Sequence, residues 1–237
     1  MTPFPAQSAF ETIKQVPGLA TLDDRVIERL ALHSRAIALK AGEALSRRGQ
    51  PQTRLSLVQG GSLEVSIHGR EGKRHVVRYL GRGDVFGLIP VLDGGSAVHD
   101  ADAHEDTLLL EIPRDVLLAE LNTQPALAIQ LLQLFCGRFR QLYEILAYQQ
   151  LLPMNARVAH LIVGLVSVEP QVPVARRAAE FEIHMTQSDM SDMLGVSRQS
   201  LSAELKKLER EALIRLAHAK IVVTNLPGLE RVASQSI

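Results

Sequence analysis

Arg198 and Gln199 carry the clearest chemistry in this chain. An arginine can donate a fork to O6 and N7 of guanine, and a glutamine can pair with N6 and N7 of adenine. Both lie in HMTQSDMSDMLGVSRQSLSAELKKLEREALI, residues 184–214, close to Ser200 and Ser202. On a helix begun by Ser197, positions 198, 199, 202 and 203 share an outer face near the N-terminal end. Leu201, Leu205 and Leu208 share the inner face. Thr186, Gln187, Ser197 and the free backbone N–H groups at two helix starts suit phosphate oxygens. Lys206, Lys207 and Lys220 offer charge to the same backbone. A helix end that reads base edges while its surroundings grip phosphates is the chemistry of sequence-specific DNA binding.

The elements needed to hold these side chains can be read from the same segment. Thr186 can N-cap a helix whose buried face is Met190, Met193 and Leu194. Gly195 can end it in a left-handed conformation, and small Ser191 permits close approach of a second helix. Ser197 caps that second helix. After it, LIRLAHAKIVVTN reads as two short strands around a turn, a wing carrying Arg215 and Lys220. An ordinary helical hairpin would show the leucine face, but it would not need the caps, glycine turn and wing together.

Upstream the period changes. Residues 22–31 read as a helix with Val26, Ile27, Leu30 and Ala31 on one face. From 36 to about 112 the signal is short strands with glycine punctuation, as in a compact barrel, roll or sandwich. Leu63, Val65 and Ile67 alternate with Glu64, Ser66 and His68, the mark of a half-buried strand. HGREGKR reads as a polar hairpin loop. Pro113 opens a short helix. A long helix over 125–152 follows, about 40 Å at 1.5 Å per residue. Its stripe of Ala128, Leu131, Phe135, Phe139, Leu142, Ile145 and Leu146 needs a partner, and a second copy is the simplest. Asn155 is placed to cap the next helix, and EPQVPVARRAAEF reads as a connector.

The segments MTQSDMSDMLGVSRQSLSAELKKLEREALI and YLGRGDVFGLIPVLDGG resemble the superfamily of the cyclic AMP receptor protein and FNR, bacterial transcription regulators. The resemblance runs from about Pro17 onward. It implies an α+β chain with three parts: an N-terminal β-roll, or double-stranded β-helix, of the cyclic-nucleotide-binding-like kind over 1–124; a long dimerisation helix over 125–152; and a C-terminal winged helix-turn-helix over 153–237. It implies that Arg198 reads a base. Gln199 replaces a glutamate of the cyclic AMP receptor and Ala203 an arginine, so a different palindrome is expected. The nucleotide pocket departs further. Its Gly-Glu-Leu is Gly87-Leu88-Ile89 here, and its Arg-Ser is Val98-His99. Leu142 and Tyr143 fall where Thr-Ser would contact the purine. A cyclic phosphate buried without a charged partner is costly, so weak or no cyclic-nucleotide binding is expected. The effector pocket would comprise Phe86, Gly87, Leu88, Ile89, Val98, His99, Leu142 and Tyr143, and would take an apolar or aromatic effector or none.

Other chemistry finds little support. In HDADAHED, Asp100, Asp102 and His104 would share a strand face and could hold a divalent cation, but a solvated edge or loop is the simpler reading. His75, His99 or Cys136 as a heme ligand has no supporting pattern. GRGDVFG resembles a dinucleotide loop only in its glycines and is expected to lead into no helix. Cys136 is expected to be packed rather than nucleophilic. No catalytic residue, metal or cofactor is assigned, although a small-molecule effector is allowed for. The 237 residues hold 26 basic and 26 acidic side chains, but 197–220 holds six basic against three acidic, a local excess that net charge conceals. No apolar run approaches the roughly 20 residues of a membrane span, and MTPFPAQSAF is no secretory signal, so a cytoplasmic location is expected. About 85 residues remain after the long helix, too few for a catalytic domain in addition to a winged helix. The expected partners are double-stranded DNA, a second copy as homodimer, and RNA polymerase if the protein activates; no membrane is expected. A sensor acting through protein contacts, its helix-turn-helix vestigial, is the competing reading.

Overall fold

A computed structural model describes residues 6–69, 74–168, 181–183, 185–217 and 220–234. Two compact units emerge, Met1–Phe139 and Arg140–Ile237. The division falls inside one long helix.

The first unit opens with helices α1 (Ala6–Lys14) and α2 (Asp24–Leu32). Asp23 caps α2 by accepting from the N–H of Arg25, and Val26, Ile27, Leu30 and Ala31 are its buried face. Eight strands follow: β1 (Arg35–Leu39), β2 (Ala44–Ser46), β3 (Arg54–Gly60), β4 (Leu63–His68), β5 (Arg74–Leu80), β6 (Val85–Phe86), β7 (Asp100–Ala103) and β8 (Thr107–Pro113). They form two antiparallel sheets in the orders β1-β8-β3-β6 and β2-β7-β4-β5. Helix α3 (Leu88–Asp93) interrupts them, and α4 (Arg114–Thr123) and α5 (Pro125–Leu151) follow. GRGDVFG therefore does lead into a helix, contrary to expectation. The strand before it, β6, pairs antiparallel with β3, so the parallel crossover of a dinucleotide fold is still lacking.

The central strands of the first sheet, β3 and β8, are buried on both faces, which is why they read as apolar runs. Val58, Phe86 and Leu109 meet Leu63, Val65, Leu80 and Ala101 of the other sheet. Leu55, Leu57, Leu110 and Ile112 face the opposite way, against Ile13, Ile27, Leu30, Leu117, Leu127 and Leu131 of the helices. Each such leucine withdrawn from water contributes about 1.5–3 kcal/mol. The chain passes between sheets at Gly60-Gly61. Gly61 has φ +76°, and a Cβ there would lie 2.4 Å from the carbonyl oxygen of Asp106.

In β4 the alternation holds, but the second face is solvated only at His68. Glu64 is only 8% exposed and Ser66 fully buried. Glu64 accepts from Arg74 at 2.8 Å and from the Tyr79 hydroxyl at 3.2 Å. The acidic run divides: Asp100–Ala103 form β7, which lies between β2 and β4 rather than at an edge, whereas His104, Glu105 and Asp106 are an exposed loop, as expected. Arg74 ends the expected hairpin, whose residues 70–73 lie outside the described residues.

The second unit contains the end of α5, then α6 (Met154–Val168), β9 (Phe181–Ile183), α7 (Gln187–Leu194), α8 (Arg198–Arg210), β10 (Ile214–Ala217), β11 (Lys220–Val223) and α9 (Leu226–Ser234). Asn155 is not a cap. Helix α6 begins one residue before it, and the carbonyl of Pro153 accepts from the N–H of Arg157 at 3.1 Å. The wing has three strands, in the order β10-β11-β9. Ile162, Met190, Leu201, Leu205, Ile221, Val223 and Leu229 form the core. The connector between α6 and β9 lies almost wholly outside the described residues, as do His184 and the wing turn at 218–219.

Candidate nucleic-acid interface and sensing residues

Two capped helices set the geometry of the interface. At the start of α7, Thr186 Oγ1 accepts from the N–H of Asp189 at 3.2 Å, and Asp189 accepts from the N–H of Thr186 at 3.3 Å. This reciprocal box satisfies two of the helix's free donors. At the other end Gly195 has φ 65°, and the N–H of Val196 donates to Ser191 at 3.1 Å. Ser191 is 4% exposed, as close helix approach requires. Ser197 accepts from the N–H of Ser200 at 3.1 Å and starts α8. Arg157 of α6 donates to the carbonyl of Leu194 at 2.9 Å, placing a cation on the last turn of α7. Nothing local in the sequence marks Arg157, whose partner lies 37 residues away.

Leu201, Leu205 and Leu208 turn α8 inward. Its other side presents Arg198, Gln199, Ser200 and Ala203 exposed, with Ser202 half-buried. Thr186 and Gln187 are exposed as well. Arg198 donates through Nη2 to the hydroxyl of Ser188 on α7. The lysines differ in their freedom. Lys206 is exposed, Lys207 pairs with Glu204 at 2.7 Å, and Lys220 spans both oxygens of Glu182 at 2.8 and 2.9 Å.

Within the first unit the expected effector residues do not share one core. Phe86 packs between the sheets, whereas Leu88 packs in the helix-covered core. Ile89 and Val98 are each 38% exposed, and Gly87 starts α3. His99 is half-buried, and burial, reinforced by the charge of Arg48 and opposed by Asp100, holds its imidazole below the ordinary range. Leu142 and Tyr143 belong to the second unit and are exposed. Beside Phe86 the structure brings together three groups that sequence reading missed. Arg138 of α5 donates to the carbonyl of Val85 at 2.6 Å, and Arg78 of β5 lies 3.3 Å from Asp84.

The acidic run is compensated. Asp100 accepts from the N–H of Arg48 at 2.9 Å and meets His68 Nδ1 at 2.8 Å; Asp102 pairs with Arg47 at 2.7 Å. Burial pushes the Asp100 carboxyl up. The Arg48 N–H, the His68 hydrogen bond and the charges of His68 and Arg47 outweigh that and hold it below the usual range. Among the described residues no group of three His, Cys, Asp or Glu side chains is arranged as metal ligands would be.

Along α5 the apolar stripe splits. Leu127 and Leu131 are buried in the first unit's own core, so Leu131 is not available to a second copy. Phe135, Phe139, Leu142, Ile145 and Leu146 are exposed, between 40% and 49%, and Ile129 and Leu132 add to them at 54% and 62%. Cys136, expected to be packed, is exposed. Among the described residues no helix is long and apolar enough to cross a membrane.

Comparison with known proteins agrees with this layout. A model of the cyclic nucleotide-binding domain matches residues 36–124, and a model of the Crp-like helix-turn-helix domain matches residues 156–232. The chain is 22% identical over 211 residues to a CRP-like cAMP-activated global transcriptional regulator of Mycobacterium tuberculosis, covering 89% of this chain and 93% of that protein. It is 30% identical to the HTH-type transcriptional regulator Cmr of the same organism, covering 73% of this chain and 66% of that protein. In fold it is similar to FixK2 from Bradyrhizobium japonicum, with TM-score 0.74 and 20% identity over 85% of this chain and 98% of that one.

Proposed function

This chain belongs to the Crp/Fnr family of non-enzymatic, DNA-binding transcription regulators, and from that premise we propose that it acts as a homodimer on a pseudo-palindromic operator. The observation that carries the reading is the outer face of α8. Arg198, Gln199 and Ser202 stand together at its N-terminal end, on a helix fixed by the Ser197 cap and the Leu201–Leu205–Leu208 face. Arg198 and Gln199 read base edges. Thr186, Gln187, Ser197, Ser200, Lys206 and Lys207 take phosphates, and Lys220 does so once Glu182 releases it. The exposed faces of two α5 helices cover one another. This sets two α8 helices about 34 Å apart, in successive major grooves.

The same reading divides the chain into a β-roll sensor over 1–124, a dimer helix over 125–152 and a DNA-binding domain over 153–237. The protein is effector-responsive or constitutive, and any effector acts by shifting populations about the hinge near Pro153. Activation, if that is its role, engages RNA polymerase. Dependence on cyclic AMP is not expected. The M. tuberculosis relative is cAMP-activated by name, but Leu88 and Val98 offer neither a ribose acceptor nor a phosphate partner. Selection from random-sequence DNA tests the reading, with enrichment of an inverted repeat as the expected result. Failure to enrich any motif would favour a sensor that acts through protein contacts.

A further inference from the structure

Helix α8 turns two rows of side chains away from its leucine face. Arg198, Ser202 and Glu209 form one row, and both of its ends are committed within the protein. Arg198 donates to the Ser188 hydroxyl on α7, and Glu209 accepts from the N–H of Leu216 on β10 at 2.8 Å. Gln199, Ala203, Lys206 and Arg210 form the other row, and all four are exposed. This second row is the one that α7 and the wing leave open.

Ala203 stands in the middle of the open row. Every other exposed residue of α8 carries a polar or charged group, whereas Ala203 offers a methyl group alone. It takes no part in the apolar core of the second unit. A methyl group neither donates nor accepts a hydrogen bond, so it gains from DNA only by covering apolar surface. In the major groove the base edges present donors, acceptors and one apolar group, the C5-methyl of thymine. The neighbours set the depth of the contact. Gln199 lies about 6 Å before Ala203 along the helix axis, and Lys206 about 4.5 Å beyond it. A glutamine there reaches a base edge and a lysine reaches a phosphate, so the methyl group lies between the two. Being short, it also lets the helix approach the bases closely.

We propose that Ala203 reads the C5-methyl group of a thymine in each operator half-site. That thymine lies on the base pair that Gln199 reads or on one of the next two, since successive pairs are about 3.4 Å apart. Gln199 and Ala203 then recognise neighbouring A·T pairs by different means, one by hydrogen bonds and the other by apolar contact. The inference rests on the reading of α8 as the base-reading helix, and it adds to that helix a residue without polar chemistry.

The test uses the full chain and the operator enriched from random-sequence DNA, with affinity read by fluorescence anisotropy. Each thymine of one half-site is replaced in turn by deoxyuridine, which pairs alike and lacks only the methyl group. One replacement should weaken binding about fourfold, the scale of one methyl group withdrawn from water. In Ala203→Gly the same replacement should have no effect. Comparing the two DNAs within each variant cancels any fraying of α8 that glycine causes. If Ala203→Gly fails to fold, Ala203→Gln takes its place, and preference at that position should pass from thymine to adenine. An operator with no methyl-dependent thymine, or a loss that persists in the variant, overturns the inference and leaves the regulator reading intact. Enrichment of no motif overturns that reading, and the inference with it.

Discussion

Arg198 donates through Nη2 to the hydroxyl of Ser188, so in the unbound chain the first residue of α8 is held against α7. A guanidinium parked in this way must let go before it can fork onto a guanine. Ser188→Ala removes the competing acceptor, and operator affinity should hold or tighten by up to about threefold, the scale of one exposed hydrogen bond. A marked loss would show that Ser188 touches DNA directly.

Arg198→Ala should cost about 1–3 kcal/mol of discrimination, concentrated at one base position in each half-site. Binding to a set of singly substituted operators reads this out. Equal weakening on every sequence would make Arg198 a phosphate contact instead.

The exposed stripe on α5 predicts the behaviour of Phe139→Glu. If two copies cover this face, a carboxylate there lacks a partner, so the variant should sediment as a monomer at concentrations where the proposed dimer forms in the wild type. Operator affinity should fall by about 100-fold or more with the loss of two-site engagement.

Gly195→Ala and Gly61→Ala form a matched pair, since both residues have positive φ. A Cβ at Gly195 meets nothing within 4 Å, so only backbone strain remains, about 1–2 kcal/mol. At Gly61 the Cβ would lie 2.4 Å from backbone oxygen, and the loss should be larger. Urea melts of the two variants give the comparison.

Acid stability should report on Glu120. It holds Arg29 through two hydrogen bonds at 2.7 and 2.8 Å, and chiefly through that contact its carboxyl sits below the usual range. A depressed carboxyl stabilises the fold above its unfolded pKa, near 4.3. That stabilisation is lost as pH falls through the lower folded value. Glu120→Gln should therefore melt below the wild type at pH 7, with the gap closing below about pH 4.

Calorimetry with cyclic AMP and cyclic GMP should show no micromolar binding, because a nucleotide needs an acceptor for its ribose that Leu88 cannot supply. Micromolar binding of either would show that other residues take over those roles.

The DNA-facing half was legible because its signals are local. Thr186, Gly195 and Ser197 act within three or four residues of themselves, so caps and turn could be read before any fold was known. The first unit depends on pairings distant in sequence. Alternation in β4 showed that Glu64 and Ser66 share a face, but not that Arg74 and Tyr79 would close over Glu64. Periodicity put Leu131 and Phe139 on one stripe of α5. Only the packing of α1, α2 and α4 shows that the first is consumed by its own unit and the second is not. Arg138 falls between apolar neighbours with no motif of its own, and its meaning comes from a carbonyl 53 positions earlier.

The exposure of Cys136 has a practical consequence. The chain has one cysteine, and it sits on the surface of α5 next to Phe135. A maleimide dye added to the unaltered protein would attach at a single known point. If two copies meet along this helix, alkylation should slow with increasing protein concentration, so the native thiol would itself record the association equilibrium.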